Sequence, residues 1–398
     1  LPELSSFSLR DSNLDILDLS GVSKLTSLSV YNNDQLYSLN IKNGNNANLS
    51  YVYLYENQKL SCITADSETL DTSSWNTDRD LNITTDCASF FSGELAIANS
   101  ALEQKLVDLG IDTNGLNGTI LQRDAEGITN LNLSTSWNAD DSEKLTDISG
   151  IEVFKNLKVL NIDYNNLATL DISVLPNLEG LSAYENKLVT IDLSNNIALR
   201  AVFLDYNQIS TIDISKNVNL EDFSLSSRFW EENPTQLSSL DVSQNTALRS
   251  LSLFGNNLTT IDISNNTNLR DVYIDYNGLA ALDISNNTAL VNLSLNDNEL
   301  TQLDISQNTS LLRLSLSSNL ISTIEYSSSI LQSLQVGGEL LETLNLANLP
   351  ELRDFSLSES NLQVLDLSGV SKLTSLLVYN NDQLFSLNIK NGNNANLS

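Results

Sequence analysis

The feature that most constrains this chain is the return of leucine at a fixed spacing. In LRSLSLFGNNLTTIDISNNTN, from Leu248 to Asn268, leucine stands at 248, 251, 253 and 258, and stretches beginning at Leu269 and Leu290 repeat the pattern at a spacing of 21 residues. Leu251 and Leu253 alternate around Ser252, which is the pattern of a short strand with one buried face. Phe254-Gly255-Asn256-Asn257 then breaks the strand. An asparagine in such a bend can bond backbone groups that the turn leaves unpaired, and one in every coil can pass those bonds along the stack. The second half, LTTIDISNNTN, places Ile261 and Ile263 around Asp262 without a helical period, so it reads as a second extended segment on the opposite side of the coil.

Repeats begin at Leu4, Leu25 and Leu49 and resume at Leu157, Leu178, Leu199, Leu220, Leu248, Leu269, Leu290, Leu311, Leu331, Leu352 and Leu373. Most steps are 21 residues; the step after Leu220 is 28, because SSRFWEENPTQ replaces the usual turn, and those after Leu25 and Leu373 are 24. A single coil cannot bury its leucines alone, so stacking makes the core. The predicted fold is a right-handed solenoid with a parallel sheet along its length, mostly strand and loop with few helices. The spacing LxxLxLxxNxL resembles the leucine-rich repeat, with Asn256 in the asparagine position.

A longer repeat overlies the short one. Residues 1–50 recur with few changes as residues 349–398, one period of 348 residues. This pattern, with the lack of any methionine, leads us to expect an excerpt of a longer chain built from several such units. The expected layout is the last coils of a first solenoid in 1–61, a closing segment in 62–91, a helical cap and lead-in in 92–156, and a second array in 157–398 that continues past the chain end.

Cys62 and Cys87, the only cysteines, bracket a segment where the repeat decays and an end cap is needed. Their spacing does not match a metal site. A disulfide there would contribute roughly 3 kcal/mol by constraining the unfolded chain, and would imply an oxidising, extracellular setting; buried free thiols are the alternative. Next, SALEQKLVDLG predicts a helix from Ser100 to Gly110, with Ser100 and Glu103 as a capping box, Leu102, Leu106 and Leu109 on one face, and Gly110 as its left-handed stop. Leu131 and Leu133 follow as the first inward pair. A short helix with such a lead-in resembles the cap of extracellular leucine-rich-repeat surface proteins of bacteroidetes and flavobacteria, internalin-like in broad architecture. The cysteine-bracketed loop resembles their closing segment. That resemblance implies a cell-surface or secreted protein.

Fifty acidic against twenty basic residues give a formal charge of −30, with no histidine. Such a surface repels nucleic acid and anionic membranes, and no run is apolar for long enough to span a bilayer. Catalysis finds no footing, since histidine, a free cysteine, a glycine-rich phosphate loop and an isolated carboxylate pair are all missing from the pattern.

Three features remain as candidate sites. The first is a row of carboxylates, Asp171, Asp192, Asp213, Asp241, Asp262, Asp283, Asp304, Glu325 and Asp366, at one repeat position. In stacked coils they stand about 4.8 Å apart, where bare neighbours repel by about 1 kcal/mol even in water. Calcium or sodium ions could bridge them, or nearby hydroxyls such as Thr260 and Ser264 and turn amides could satisfy them. The second is the strand face. Most coils put serine between the inward residues, whereas Phe203, Asp205, Tyr206, Phe254, Tyr273, Asp275 and Tyr276 occupy the strand centre or adjoining turn in the middle coils. The insertion with Arg228, Phe229, Trp230, Glu231 and Glu232 emerges among them, and Tyr164 and Tyr184 extend the row. Aromatic faces flanked by carboxylates suit a sugar or a peptide side chain; the other reading is that the rings cover one another and the insertion. The third is Asp112-Thr113-Asn114-Gly115, with Asp108 before it and Asn117 after it, which resembles half of a calcium loop but lacks the twelfth-position glutamate, Arg123 standing there. An Asx-turn ending the helix explains the same residues. No cofactor is required, and calcium is the one ion suggested.

Two functions fit: a binding or adhesion module for an extracellular protein or polysaccharide, or a structural stalk of tandem 348-residue units that neighbour one another along one chain.

Overall fold

The computed structural model describes residues 3–78, 81–85, 87, 93–228, 236–324, 330–390 and 392. Two compact units are present: one comprises residues 1–129 with 148–156, the other residues 130–147 with 157–398.

In the second unit the inward leucines become the rungs of a twelve-stranded parallel sheet, from Asn130–Asn132 to Ser375–Tyr379. The register is set by the buried residue of each strand. Leu160 stands opposite Leu181, then Val202, Phe223, Leu251, Val272, Leu293 and Leu314 in turn. In the coil that begins at Leu248, the side chains of Leu248, Leu251, Leu253, Leu258 and Ile263 are all fully buried. This face is apolar in every coil, so a slip of one residue would turn every leucine outward. Leu131 and Leu133 form the first inward pair, both buried.

The turn asparagines behave as the spacing predicts. Asn277 donates through Nδ2 to the Leu253 carbonyl one coil back at 3.0 Å and accepts through Oδ1 from the Leu258 amide at 3.0 Å. Asn186, Asn256, Asn298 and Asn319 repeat the arrangement. The residue before each asparagine turns left-handed: Tyr164, Glu185, Tyr206, Gly255, Tyr276, Asp297 and Ser318 have φ between 53° and 72°.

The opposite side of the coil departs from expectation. In the coils between Leu157 and Leu320 the second half forms turns rather than a hydrogen-bonded strand, and a second asparagine column holds it together. Asn196, Asn217, Asn245, Asn266, Asn287 and Asn308 are fully buried. Each donates to two carbonyls of the preceding coil; Asn266, for example, bonds Val242 O at 3.0 Å and Asn245 O at 2.8 Å. These side chains take over the task that a strand ladder would perform. Extended pairing on that side occurs near the C-terminus, between Val364–Asp366 and Ser386–Asn388.

The first unit has two four-stranded parallel sheets, one containing Ser6–Arg10, Ser27–Tyr31, Tyr51–Tyr55 and Asn76–Thr77, the other Ile16–Asp18, Ser38–Asn40, Cys62–Thr64 and Asn82–Thr84. Leu25, Leu28, Val30, Leu39, Ile41 and Ile63 fill the space between. Cys62 and Cys87 form a disulfide, Cα–Cα 6.1 Å, with the half-buried Tyr37 packed on it.

Helix α1, Ser100–Asp108, also lies in this unit, and its start corrects the expected cap. Asn99, not Ser100, is the N-cap: its Oδ1 accepts from the amides of Ala101 and Leu102, each at 2.9 Å. Asparagine ranks with serine at this position, and one residue earlier lets Oδ1 reach two amides. Glu103 is therefore not a capping-box partner; its carboxylate is buried and accepts from the Asn117 amide at 2.7 Å and from the Gly118 amide. Leu102 and Leu106 are buried as expected, but Leu109 is exposed because Gly110 ends the helix left-handed at φ 67°. A two-stranded antiparallel pair, Glu94–Ala96 with Thr119–Leu121, leads into helix α2, Gln122–Glu126.

Candidate functional site

Across each strand of the second unit the outward positions fall into columns. The strand-centre column reads Ser182, Phe203, Ser224, Ser252, Tyr273, Ser294 and Ser315. Phe203 and Tyr273 are each 39% exposed. They lie three strand spacings apart, about 14 Å, and Ser224 and Ser252 floor the interval.

The other aromatic residues stand in the turn beside this column. Tyr164 and Tyr184 meet edge to face at 5.2 Å between ring centroids, Tyr184 and Tyr206 at 5.1 Å, and Phe254 and Tyr276 at 5.1 Å. These rings do cover one another in part, a geometry that contributes about 0.5–1.5 kcal/mol per pair beyond burial. Burial pushes the Tyr184 phenol up to about 12, with Tyr164 and Tyr206 adding to the shift. Tyr206, Tyr273 and Tyr276 are raised for the same first reason. Tyr184, Tyr206, Tyr273 and Tyr276 are therefore neutral at physiological pH.

Asp205 and Asp275 hold the coils together. Asp205 Oδ1 accepts from the Ser226 amide at 2.8 Å and from the Ser224 hydroxyl; Asp275 Oδ1 accepts from the Asn296 amide at 2.9 Å and from the Ser294 hydroxyl. Asp163, which composition alone did not single out, does the same toward Ser182 and Tyr184. The signal was present as a recurring triplet: Asp-Tyr-Asn at 163–165, 205–207 and 275–277 gives one inter-coil acceptor, one left-handed aromatic and one column asparagine.

At the other margin of the strands runs a column of alternating charge that sequence reading also missed. Lys158 pairs with Glu179 at 2.9 Å, and Glu221 accepts from both Arg200 and Arg249. Arg228 pairs with Glu185 and lies over the Tyr206 ring, 5.4 Å from its centroid. Phe229, Trp230, Glu231 and Glu232 lie outside the described residues.

The aspartate column is exposed, and each member closes an Asx-turn. Oδ1 of Asp171, Asp192, Asp213, Asp241, Asp262, Asp283, Asp304 and Asp366 accepts from the amide of the serine two residues on, at 2.8–2.9 Å. All eight carboxyls are held below the usual carboxylate range. For Asp171, Asp192, Asp213 and Asp262 the serine hydroxyl is the larger cause; for Asp241, Asp283, Asp304 and Asp366 it is the serine amide. Glu325 lies outside the described residues. In the cap, Asp108 is exposed and bonds Gln104 Nε2 at 2.8 Å, while Asp112 accepts from the Asn114 amide at 3.2 Å in the expected Asx-turn. Among the described residues no three histidine, cysteine or acidic side chains are grouped to hold a metal ion, and no helix is long and apolar enough to cross a membrane.

No family model matches the chain, and no curated protein does so. Solved structures do. A leucine-rich-repeat protein of Leptospira interrogans is 20% identical over 100% of this chain and 89% of that one, with a TM-score of 0.54. An internalin, InlF, of Listeria monocytogenes is 23% identical over 73% of this chain and 89% of that one, with a TM-score of 0.50. TLR13, in complex with a single-stranded RNA, is 18% identical over 96% of this chain and 60% of that one, also with a TM-score of 0.50. At these identities the likeness is one of fold: the chain is a leucine-rich-repeat solenoid.

Proposed function

We propose that this protein is a non-catalytic binding module of the cell exterior that engages a protein or a polysaccharide through the exposed strand face of its second unit. The observation that carries the reading is the pair Phe203 and Tyr273, large rings left 39% exposed in a column otherwise built of polar residues along these coils. A ring face stacks on the apolar side of a sugar or on a peptide side chain. The disulfide supports an oxidising compartment. The acidic surface argues against nucleic acid, even though TLR13, one structural neighbour, is in complex with RNA. Screening cell-wall and algal polysaccharides and extracellular proteins against the wild type and a Phe203→Ser, Tyr273→Ser variant tests the reading. Binding by the wild type that the variant loses at unchanged melting temperature is the expected result.

A second reading has its own support. Residues 1–50 and 349–398 are near copies, and both fold as stacked parallel strands, Ser6–Arg10 on Ser27–Tyr31 and Asp354–Ser358 on Ser375–Tyr379. Tandem units of this kind make a stalk, multiplying length or valency without altering any one face.

A further inference from the structure

The cap loop of the first unit carries two buried oxygen atoms that its own fold leaves without donors. Asp112 follows the left-handed stop of α1 and is only 4% exposed. Its carboxylate receives the Asn114 amide on Oδ1 and also feels the Gly115 amide, but Oδ2 meets no donor at full hydrogen-bond geometry, and neither does Oδ1 of Asn114. The orientation of the Asn114 amide is fixed by its neighbours. Thr119 gives its hydroxyl proton to Asn117 Oδ1 at 2.6 Å, so it can only accept from Asn114 Nδ2, at 3.1 Å, and the Asn114 oxygen must point elsewhere.

Three of the loop's amides are committed to other carboxylates. Those of Asn117 and Gly118 go to Glu103, and that of Thr113 goes to Asp124 Oδ2 at 3.1 Å. The charges acting on Asp112 from Glu103 and Asp124 are both negative; burial is the largest cause that raises its pKa, and these two add to it. The adjacent base, Arg123, turns to Asp124 at 3.3 Å and lies 4.5 Å from the Tyr37 ring centroid. A buried carboxylate oxygen without a donor is costly, and a hard cation with oxygen ligands relieves it.

We propose that this loop binds calcium, with Asp112 Oδ2 and Asn114 Oδ1 as ligands and Glu103 as the accompanying carboxylate. Calcium suits the place better than magnesium because it accepts irregular oxygen sets that include amide oxygens and water, whereas magnesium demands a near-ideal octahedron. Asp108, exposed and bonded to Gln104, takes no part. The competing occupant is a proton on Asp112 shared with Asn114, and the two occupants make opposite demands on one substitution.

The test is calorimetric titration of the chelator-treated chain with calcium chloride at neutral pH, alongside melting curves with calcium and with chelator, for the wild type, Asp112→Asn and Asn114→Ala. The expected result is saturable binding by the wild type, a calcium-dependent rise in its melting temperature, and at least a tenfold loss of affinity in both variants. Asp262→Asn, in the exposed column, should bind as the wild type does. Absence of binding by the wild type overturns the proposal, as does an Asp112→Asn chain that melts higher than wild type with or without calcium, since that result identifies the proton. Circular dichroism of each variant in chelator confirms that it is folded before its affinity is compared.

Discussion

The side-chain amide of Asn266 donates to the carbonyl oxygen of Asn245, one coil back, at 2.8 Å, and the same contact recurs between Asn287 and Asn266 and between Asn308 and Asn287. The turns opposite the sheet are thus tied by a file of buried amides. Substituting Asn266 with alanine removes donors from two buried carbonyls and should cost about 2–4 kcal/mol. Urea unfolding checks this; an exposed neighbour such as Asn265 changed to alanine should cost within about 0.5 kcal/mol.

The left-handed turn position offers a cleaner test of backbone strain. Tyr276 has φ 53°, and one coil earlier the same position is Gly255, φ 72°. A side chain costs roughly 1–2 kcal/mol in this conformation relative to glycine, so Tyr276→Gly should be more stable than Tyr276→Ala by about 1 kcal/mol although both lose the ring. Thermal melts of the two variants decide it. Equal stability would mean the turn relaxes when the ring is gone.

Reduction acts on the first unit. Cys62 and Cys87 close a loop with a sequence separation of 25, which corresponds to about 3.5 kcal/mol in the chain-entropy relation. Hydrogen exchange on a Cys62→Ser, Cys87→Ser chain should show loss of protection at Tyr51–Tyr55 and Cys62–Thr64, while Leu251 and Leu293 stay protected.

Acid should loosen the second unit through the aspartate column. Their carboxyls have folded pKa values below the unfolded value near 3.9. Stability from a lowered carboxyl is complete above the unfolded pKa and is lost as pH falls through the folded one. Asp222 and Asp297, raised chiefly by burial, act in the opposite sense, losing their contribution as pH rises. The eight lowered carboxyls outnumber these, so the melting temperature should hold from pH 7 to about 5 and fall below about 4. Changing Asp192, Asp262 and Asp304 together to asparagine should flatten that fall.

The fold was legible because one face of every strand is apolar at a fixed period: Leu251, Val272 and Leu293 could occupy no other register. Asn277 was legible for the same reason. Asn266 was not, because an asparagine in the run Ser-Asn-Asn-Thr-Asn reads as an ordinary polar turn; only burial separates it from Asn265 and Asn268. The aromatic row was found, but its division into a strand-centre pair, Phe203 and Tyr273, and a turn file around Tyr184 depends on which side of each bend the ring leaves, and composition carries no such information. Asp205 and Asp275 stand beside rings in the sequence, which points to a ligand; that their Oδ1 atoms also hold the next coil depends on the stacking of coils, which the sequence does not display. Glu103 was misplaced as a cap partner because Asn99 stands one residue before the serine that the pattern favours.

Hydroxyl-radical footprinting of the wild-type chain, alone and with a partner from the polysaccharide and protein screen, tests the binding face most directly. Phe203 and Tyr273 should lose reactivity on binding, while Val189, Ile197 and Val218, also exposed, keep theirs. Protection of those three valine and isoleucine residues with Phe203 and Tyr273 unchanged would contradict the account.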